Sequence, residues 1–117
     1  MTNFEDISKV IKETSGVKTF VAANADGQAV ASHNAADPDT LASAVTLMLM
    51  GAAAVGATLG IQGPEMVRLA ARNREDLLLF IIKGGGIAVQ KTAQANGTEL
   101  VKTIFARIGE QNSGDGE

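Results

Sequence analysis

One stretch of the sequence, from Asp37 to Gly60, is long, apolar and almost free of charge. Asp37 can cap a helix, Pro38 suits the first helical position, and Gly60 can adopt the left-handed conformation that ends one. After Asp39 the stretch contains no Lys, Arg, Glu or aromatic residue. It predicts a helix of about 22 residues, roughly 33 Å long, that lacks the charged face typical of surface helices in small domains.

Two apolar faces can be drawn on this helix. One stripe at helical spacing is expected to pack on a sheet: Leu41, Ala44, Val45, Met48, Ala52, Val55 and Leu59. The remaining apolar positions form a second face: Leu47, Leu49, Met50, Ala53, Ala54 and Ala57. Either loops of the same chain bury this second face, or another chain packs on it, because a large exposed apolar patch is otherwise a liability. A membrane span is disfavoured, since Ala and Gly dominate the stretch and its flanks lack Lys and Arg.

Composition limits the classes of function. The 117-residue chain has the size of one domain, and its hydrophobic content of 45% is typical of a folded protein. A net charge of -3 argues against nucleic-acid binding, which needs a basic surface. The absence of Cys excludes disulfides and thiolate metal sites. Because the chain also begins without a signal-peptide pattern, we expect a cytoplasmic protein.

The rest of the chain predicts two further helices and five strands. The helices are expected at 2–15, where Thr2 and Glu5 have capping-box spacing, and at 96–109, ended by Gly109. The strands are expected at 17–23, 28–32, 65–72, 77–82 and 87–92, with a hairpin turn at Asn24-Ala25-Asp26-Gly27.

These elements predict an α+β fold in the order αββαβββα. A five-stranded antiparallel sheet would lie between the long helix on one face and the two terminal helices on the other. Strand 77–82 is apolar on both faces and is expected to be central, whereas strand 65–72 would bury only Val67, Leu69 and Ala71. Residues 1–109 would form the domain, and 110–117 a disordered acidic tail.

Few residues suggest catalysis. His33 is the sole histidine and follows a strand in a polar link, where a surface position is favoured over an acid–base or metal-binding role. Gly84-Gly85-Gly86 joins two strands, so a turn with positive φ fits better than a phosphate-binding loop. Asp26 is expected to be a turn residue rather than a catalytic acid. We therefore predict no enzyme, no catalytic residue, no metal site and no cofactor.

Three arginines, Arg68, Arg72 and Arg74, cluster around the third strand and the turn after it. They fit a solvated strand edge that is protected against aggregation by charge. They also fit a recognition patch for an acidic partner, and the sequence leaves both interpretations open.

With these residues placed, the sequence resembles the roadblock/dynein-light-chain family over about 4–108. The resemblance depends on the element order, on G-V-K-T-F-V-A-A-N-A-D-G-Q-A-V-A-S at 16–32, on the long Ala-rich helix, and on the strand–turn–strand at 66–82 before a glycine turn. A profilin-like or longin-like domain would share part of the sheet, but the short first helix and long central helix favour roadblock. The chain is most similar to stand-alone prokaryotic members.

The resemblance implies a homodimer in which the third strands of two subunits pair and the long helices lie side by side. On this sequence the pairing edge would be strand 66–72. The interface would comprise Met66, Arg68, Ala70, Arg72, Leu47, Met50 and Ala54.

Family members bind Ras-like small GTPases as activators or scaffolds, or anchor cargo to dynein. The implied function is thus a GTPase-activating or scaffolding protein in prokaryotic signalling, polarity or motility, with no nucleic-acid, membrane or small-molecule substrate. Partner contacts are placed at Ser43, Thr46, Met50, Ala57, Arg68 and Arg72. One alternative is a dimerisation scaffold without effect on nucleotide state. The other is a small-ligand sensor, which the scarcity of aromatic residues disfavours.

Overall fold

The computed structural model describes residues 4–61, 65–82 and 84–115. The helices are α1 (Phe4–Glu13), α2 (Pro38–Leu59) and α3 (Gly97–Asp115), and the strands are β1 (Val17–Asn24), β2 (Ala29–His33), β3 (Met66–Leu69), β4 (Leu77–Ile82) and β5 (Gly85–Lys91). The predicted order αββαβββα is confirmed.

The five strands form one sheet in the order β2-β1-β5-β4-β3, and all neighbours are antiparallel. β5 occupies the centre, because the chain returns from β4 to insert its last strand beside β1. The strand predicted to be central, β4, is an interior strand next to β5, and β2 and β3 are the two edges.

Helices cover both faces of the sheet, as predicted. On one face α1 and α3 contribute Ile7, Ile11, Leu100 and Ile104 to a cluster that includes Phe80. On the other face α2 packs through a smaller cluster around Val45 and Leu49. Leu78 and Leu79 of β4 belong to opposite clusters, so neighbouring residues of one strand face different helices. This alternation explains why β4 is apolar throughout.

Local sequence sets the ends of α2. The Asp37 side chain accepts the Thr40 backbone N–H at 3.3 Å, and Pro38 occupies the first turn. At the other end Gly60 has φ 76°, and its N–H donates to the Ala57 carbonyl at 3.2 Å. The predicted start and end of this helix are confirmed.

The buried stripe of α2 differs from the predicted stripe. Its buried residues are Ala42, Val45, Leu49 and Gly56. Leu49, which was assigned to the outer face, is therefore buried, and three residues assigned to the sheet are exposed: Ala44, Val55 and Leu59. From Met50 onward only Gly56 is buried. The last turns of α2 thus have little of the sheet beneath them, and helical periodicity alone does not reveal this.

Two predicted element ends at glycine residues are wrong: the start of β5 and the end of α3. Gly84 has φ 88°, but Gly85 and Gly86 lie in β5 rather than in the turn. A Cβ on Gly85 would lie 1.9 Å from the Ala23 carbonyl oxygen, so close approach of backbones is what requires this glycine. Gly109 does not end α3, because a glycine inside a helix costs only about 1 kcal/mol relative to Ala.

Two further predicted boundaries change. β3 ends at Leu69 rather than at residue 72. α3 continues past the predicted end at Gly109 to Asp115. The capping residue Thr2 and the last two residues lie outside the described ranges.

Candidate functional site

The most unusual surface is the solvent side of α2. Leu47 is 69% exposed and Met50 is 64% exposed. We define the outer α2 face by the exposed residues of the helix from Ser43 onward: Ser43, Ala44, Leu47, Met50, Gly51, Ala53, Ala54, Val55, Ala57, Thr58 and Leu59. None of these residues is charged. Among the described residues, no loop of the same chain buries this face.

In the described part of the chain α2 is the one helix with the length and composition to cross a membrane. Its inner side packs on β1, β2 and β5, where Val45 is fully buried. The helix is therefore one layer of the folded domain.

An apolar strip of the sheet lies beside α2 near the β3 edge. Val67 and Leu79 pack in the α2 cluster. Leu69 and Ile81 lie two residues further along the same strands and therefore share that face. They are 42% and 40% exposed, because α2 packs mainly on the other strands. We call Val67, Leu69 and Ile81 the β3–β4 strip. The predicted burial of Leu69 and Ala71 is wrong, since both are exposed.

A groove joins this strip to the outer α2 face. It is a cavity of about 350 Å³ lined by apolar side chains that include Met50, Ala53 and Ile81. The glycines at the start of β5 form one wall. A Cβ on Gly86 would lie 2.4 Å from Leu49 Cδ1, so α2 can approach β5 closely only because this residue is glycine.

β3 leaves one side of its backbone unpaired within the described sheet. It pairs with β4 from Met66↔Phe80 to Leu69↔Leu77 and has no strand on its other side. Such an edge can add a strand from another chain. The edge, the β3–β4 strip and the outer α2 face are contiguous.

The α2 residues predicted to contact a partner divide into two groups. Leu47, Met50, Ala54 and Ala57 are exposed on the outer α2 face. Ser43 and Thr46 already use their hydroxyl groups within the chain: Ser43 Oγ donates to the Gly27 carbonyl at 3.2 Å, and Thr46 Oγ1 donates to the Ala42 carbonyl at 2.9 Å.

The β3 residues of the predicted interface point elsewhere. Met66 packs against the cluster formed by α1 and α3, on the sheet face opposite α2. Arg68 shares that face and donates to Asp76 Oδ2 from Nε at 3.1 Å and from Nη2 at 2.9 Å. Ala70 and Arg72 are exposed and follow the end of β3. The structure therefore separates the predicted interface residues onto two faces of the sheet.

Asp76 organises the turn after β3, a role that sequence reasoning missed. Its carboxylate is buried, and Oδ1 accepts the Ala71 backbone N–H at 2.8 Å. The pKa of Asp76 lies below its ordinary value because this N–H and then the Arg68 guanidinium stabilise the charged form, with a smaller effect from Lys91, while burial opposes them. In the sequence Asp76 is simply one polar residue in a polar turn.

The other two candidate residues, Asp26 and His33, lie in a turn and at the end of a strand. Asp26 is exposed in the hairpin turn, where the Asn24 side chain accepts the N–H groups of Asp26 and Gln28 at 3.0 Å. His33 ends β2, with Nε2 3.3 Å from the Asn34 side-chain nitrogen. Among the described residues no group of three or more His, Asp or Glu side chains could hold a metal ion.

The fold is similar to solved roadblock/LC7 structures. MglB of Myxococcus xanthus matches with a TM-score of 0.81 and 15% identity over 92% of this chain and 93% of that chain. A roadblock/LC7 domain from Streptomyces avermitilis matches with a TM-score of 0.77 and 16% identity over 97% of both chains. The gliding protein MglB of Thermus thermophilus matches with a TM-score of 0.75 and 19% identity over 92% of this chain and 86% of that chain.

Neither a family model nor a curated protein matches the sequence. The structural matches establish that the chain has the roadblock/LC7 fold.

Proposed function

We propose that this protein is a homodimeric binding module, rather than an enzyme, that recognises a Ras-like small GTPase in the cytoplasm and regulates or scaffolds it. The observation that supports this most is the uncharged outer α2 face, with Leu47 and Met50 exposed, on a chain with the roadblock/LC7 fold. Exposed apolar surface of this kind marks an interaction site.

A second copy of the chain complements the exposed surfaces. Antiparallel pairing of two β3 edges would continue the sheet and bring the two β3–β4 strips together. Each α2 would then approach the strip of the other subunit, where Leu69 and Ile81 are incompletely covered. Burying a Leu or Met side chain contributes about 1.5–3 kcal/mol, so a few such residues would supply much of the stability of a dimer.

The partner assignment rests on the family resemblance of the sequence. Two neighbouring α2 helices would form a flat, small-residue platform, with Met50 beside the contact between subunits and Ala57 available to a GTPase. Met adapts its shape to a partner surface, and Ala permits close approach. Binding to one switch conformation of the GTPase would stabilise that conformation.

Light scattering on Leu47→Asp and Met50→Lys variants tests the dimer. Both variants are expected to be folded monomers, because they place a charge on a surface that is exposed in the single chain. Val30→Lys is the matched control, since Val30 is exposed on β2, the opposite edge of the sheet. Dimeric Leu47→Asp and Met50→Lys proteins would refute this interface.

GTP hydrolysis by a co-purifying Ras-like GTPase distinguishes activation from scaffolding. If an arginine finger operates, one of Arg68→Ala, Arg72→Ala or Arg74→Ala should abolish acceleration. The structure favours a scaffold in one respect, because Arg68 is already held by Asp76. Binding without any change in hydrolysis rate would establish the scaffold, and absence of binding would refute the GTPase assignment.

A further inference from the structure

A second cavity lies on the sheet face opposite α2, between the β3–β4 turn and the start of α3. Its volume is about 610 Å³. The lining residues that matter here are Arg68, Arg74, Asp76, Lys91, Asn96 and Gly97. The cavity contains no part of the outer α2 face, so the proposed packing of two α2 helices does not explain its composition.

The cavity has a surplus of positive charge. Arg68, Arg74 and Lys91 line it, and Asp76 is the one carboxylate among its lining residues. Asp76 already accepts hydrogen bonds from Ala71 and Arg68. Three cations against this single carboxylate leave a surplus of about two positive charges in the lining. Arg68 and Arg74 are exposed to solvent, and Lys91 is buried.

Lys91 is the most unusual of these cations. It is only 4% exposed, and its Nζ donates to the carbonyls of Thr92 at 3.2 Å and Ala95 at 3.1 Å. No carboxylate oxygen of a described residue lies within 4.0 Å of Lys91 Nζ, so Lys91 forms no direct ion pair with these residues. Besides the two carbonyls, the charge of Asp76 opposes that of Lys91 at longer range. A further negative charge in the cavity would stabilise this buried ammonium.

The start of α3 adds to the positive potential. Asn96 caps this helix by accepting the Glu99 N–H at 3.0 Å, and Gly97 and Thr98 of the first turn line the cavity. The Arg68 guanidinium packs on this turn, since a Cβ on Gly97 would lie 2.4 Å from Nη2. A cation at the positive end of a helix is the reverse of the usual preference. Asp76 already pairs with Arg68 here, and Glu99 is the acidic residue of the first turn.

We propose that this cavity binds the phosphoryl group of a small ligand, with Arg68, Arg74 and Lys91 as its cationic lining. A phosphate monoester carries about −1.5 to −2 charges at pH 7, which matches the surplus, whereas one carboxylate would leave about half of it. Guanidinium groups and first-turn N–H groups are typical phosphate donors. The cavity is larger than a phosphoryl group, so the rest of a small ligand fits beside it.

Calorimetric titration of the intact protein with inorganic phosphate and with phenyl phosphate, at low ionic strength, tests the proposal. Saturable binding is expected, and Arg74→Asn and Lys91→Met should each weaken it about tenfold, the effect of one charge-assisted contact. Asn is the replacement for Arg74 because it tolerates that residue's φ of 67°. Arg72→Asn is the matched control, since Arg72 does not line the cavity, and it should leave affinity unchanged.

Gly97→Ala is a second variant that keeps every charge. Its Cβ should displace the flexible guanidinium of Arg68 and weaken phosphate binding while the fold persists. Absence of saturable phosphate binding, or an equal loss in Arg72→Asn, would overturn the proposal. Equal affinity for malonate would overturn the phosphoryl assignment. Tighter binding of a phosphoserine peptide than of phenyl phosphate would overturn the assignment to a small ligand.

Discussion

At the scale of single residues, Asp76 shows how one carboxylate organises a polar turn. It connects the end of β3 to the turn through Ala71 and holds the Arg68 side chain. Its own carbonyl accepts the Lys91 N–H at 3.0 Å, which ties the turn to β5. Substitution of Asp76 would therefore disturb the edge strand as well as an ion pair.

The lowered pKa of Asp76 predicts an acid-dependent loss of stability. Because the folded-state pKa lies below the ordinary value of 3.8, the stabilising contribution is present above that value and is lost as pH falls through the folded pKa. Urea unfolding at pH 6 and pH 3 should show a smaller acid-induced loss for Asp76→Asn than for the native chain. Equal losses in the two proteins would contradict this assignment.

Gly85 predicts a strongly destabilising substitution. In Gly85→Ala the new Cβ would meet the Ala23 carbonyl oxygen, a backbone atom that cannot rotate away. The free energy of unfolding should fall by about 1–3 kcal/mol, the typical range for overpacked sites. Urea denaturation measures this, and an unchanged midpoint would show that the two strands can separate locally.

At the scale of elements, α3 shows that a glycine and a polar composition do not by themselves end a helix. The helix begins at the Asn96 cap and continues through Gly109 to Asp115. A Cβ on Gly109 would have no heavy atom within 4 Å outside its own local helix backbone. A methyl group added at Gly109 would therefore fit without a clash.

Gly109→Ala should stabilise the protein. Ala is favoured over Gly inside a helix by about 1 kcal/mol, and no contact opposes the added methyl group. Circular dichroism should show equal or higher helix content together with a higher unfolding midpoint. Gly85→Ala is the matched comparison, because the same Gly-to-Ala change is expected to lower the unfolding midpoint there. A lower midpoint for Gly109→Ala would indicate that the helix ends at this glycine.

At the scale of the whole molecule, the domain leaves a large apolar surface exposed. Its two hydrophobic clusters are well covered, but the outer α2 face and the β3–β4 strip leave Leu47, Met50 and Ile81 exposed. These surfaces are contiguous with the free edge of β3. The proposed homodimer removes all three exposed features with one interface.

Self-association predicts a melting temperature that depends on concentration. If a second copy covers the outer α2 face, the folded state is stabilised by mass action, and Tm should rise with protein concentration. In Leu47→Asp the Tm should be lower and independent of concentration. Differential scanning calorimetry over a hundredfold dilution measures both, and a concentration-independent Tm for the native chain would contradict the dimer.

The sequence by itself determined the features that depend on neighbouring residues. The Asp37 cap and Gly60 fix the ends of α2, the Asn24–Gly27 turn fixes the first hairpin, and apolar periodicity gives the order of elements. These features involve residues no more than a few positions apart, so their physical causes are visible in the order of the amino acids.

Only the tertiary structure decided which surfaces meet. It buried Leu49 instead of Val55, started β5 at Gly85, and joined Arg68, Asp76 and Lys91 beside the first turn of α3. Each outcome depends on how far the sheet extends beneath a helix, or on which distant backbones touch. Helical periodicity identifies which residues share an apolar face of a helix. Whether such a residue is buried depends on how far the sheet extends beneath that part of the helix.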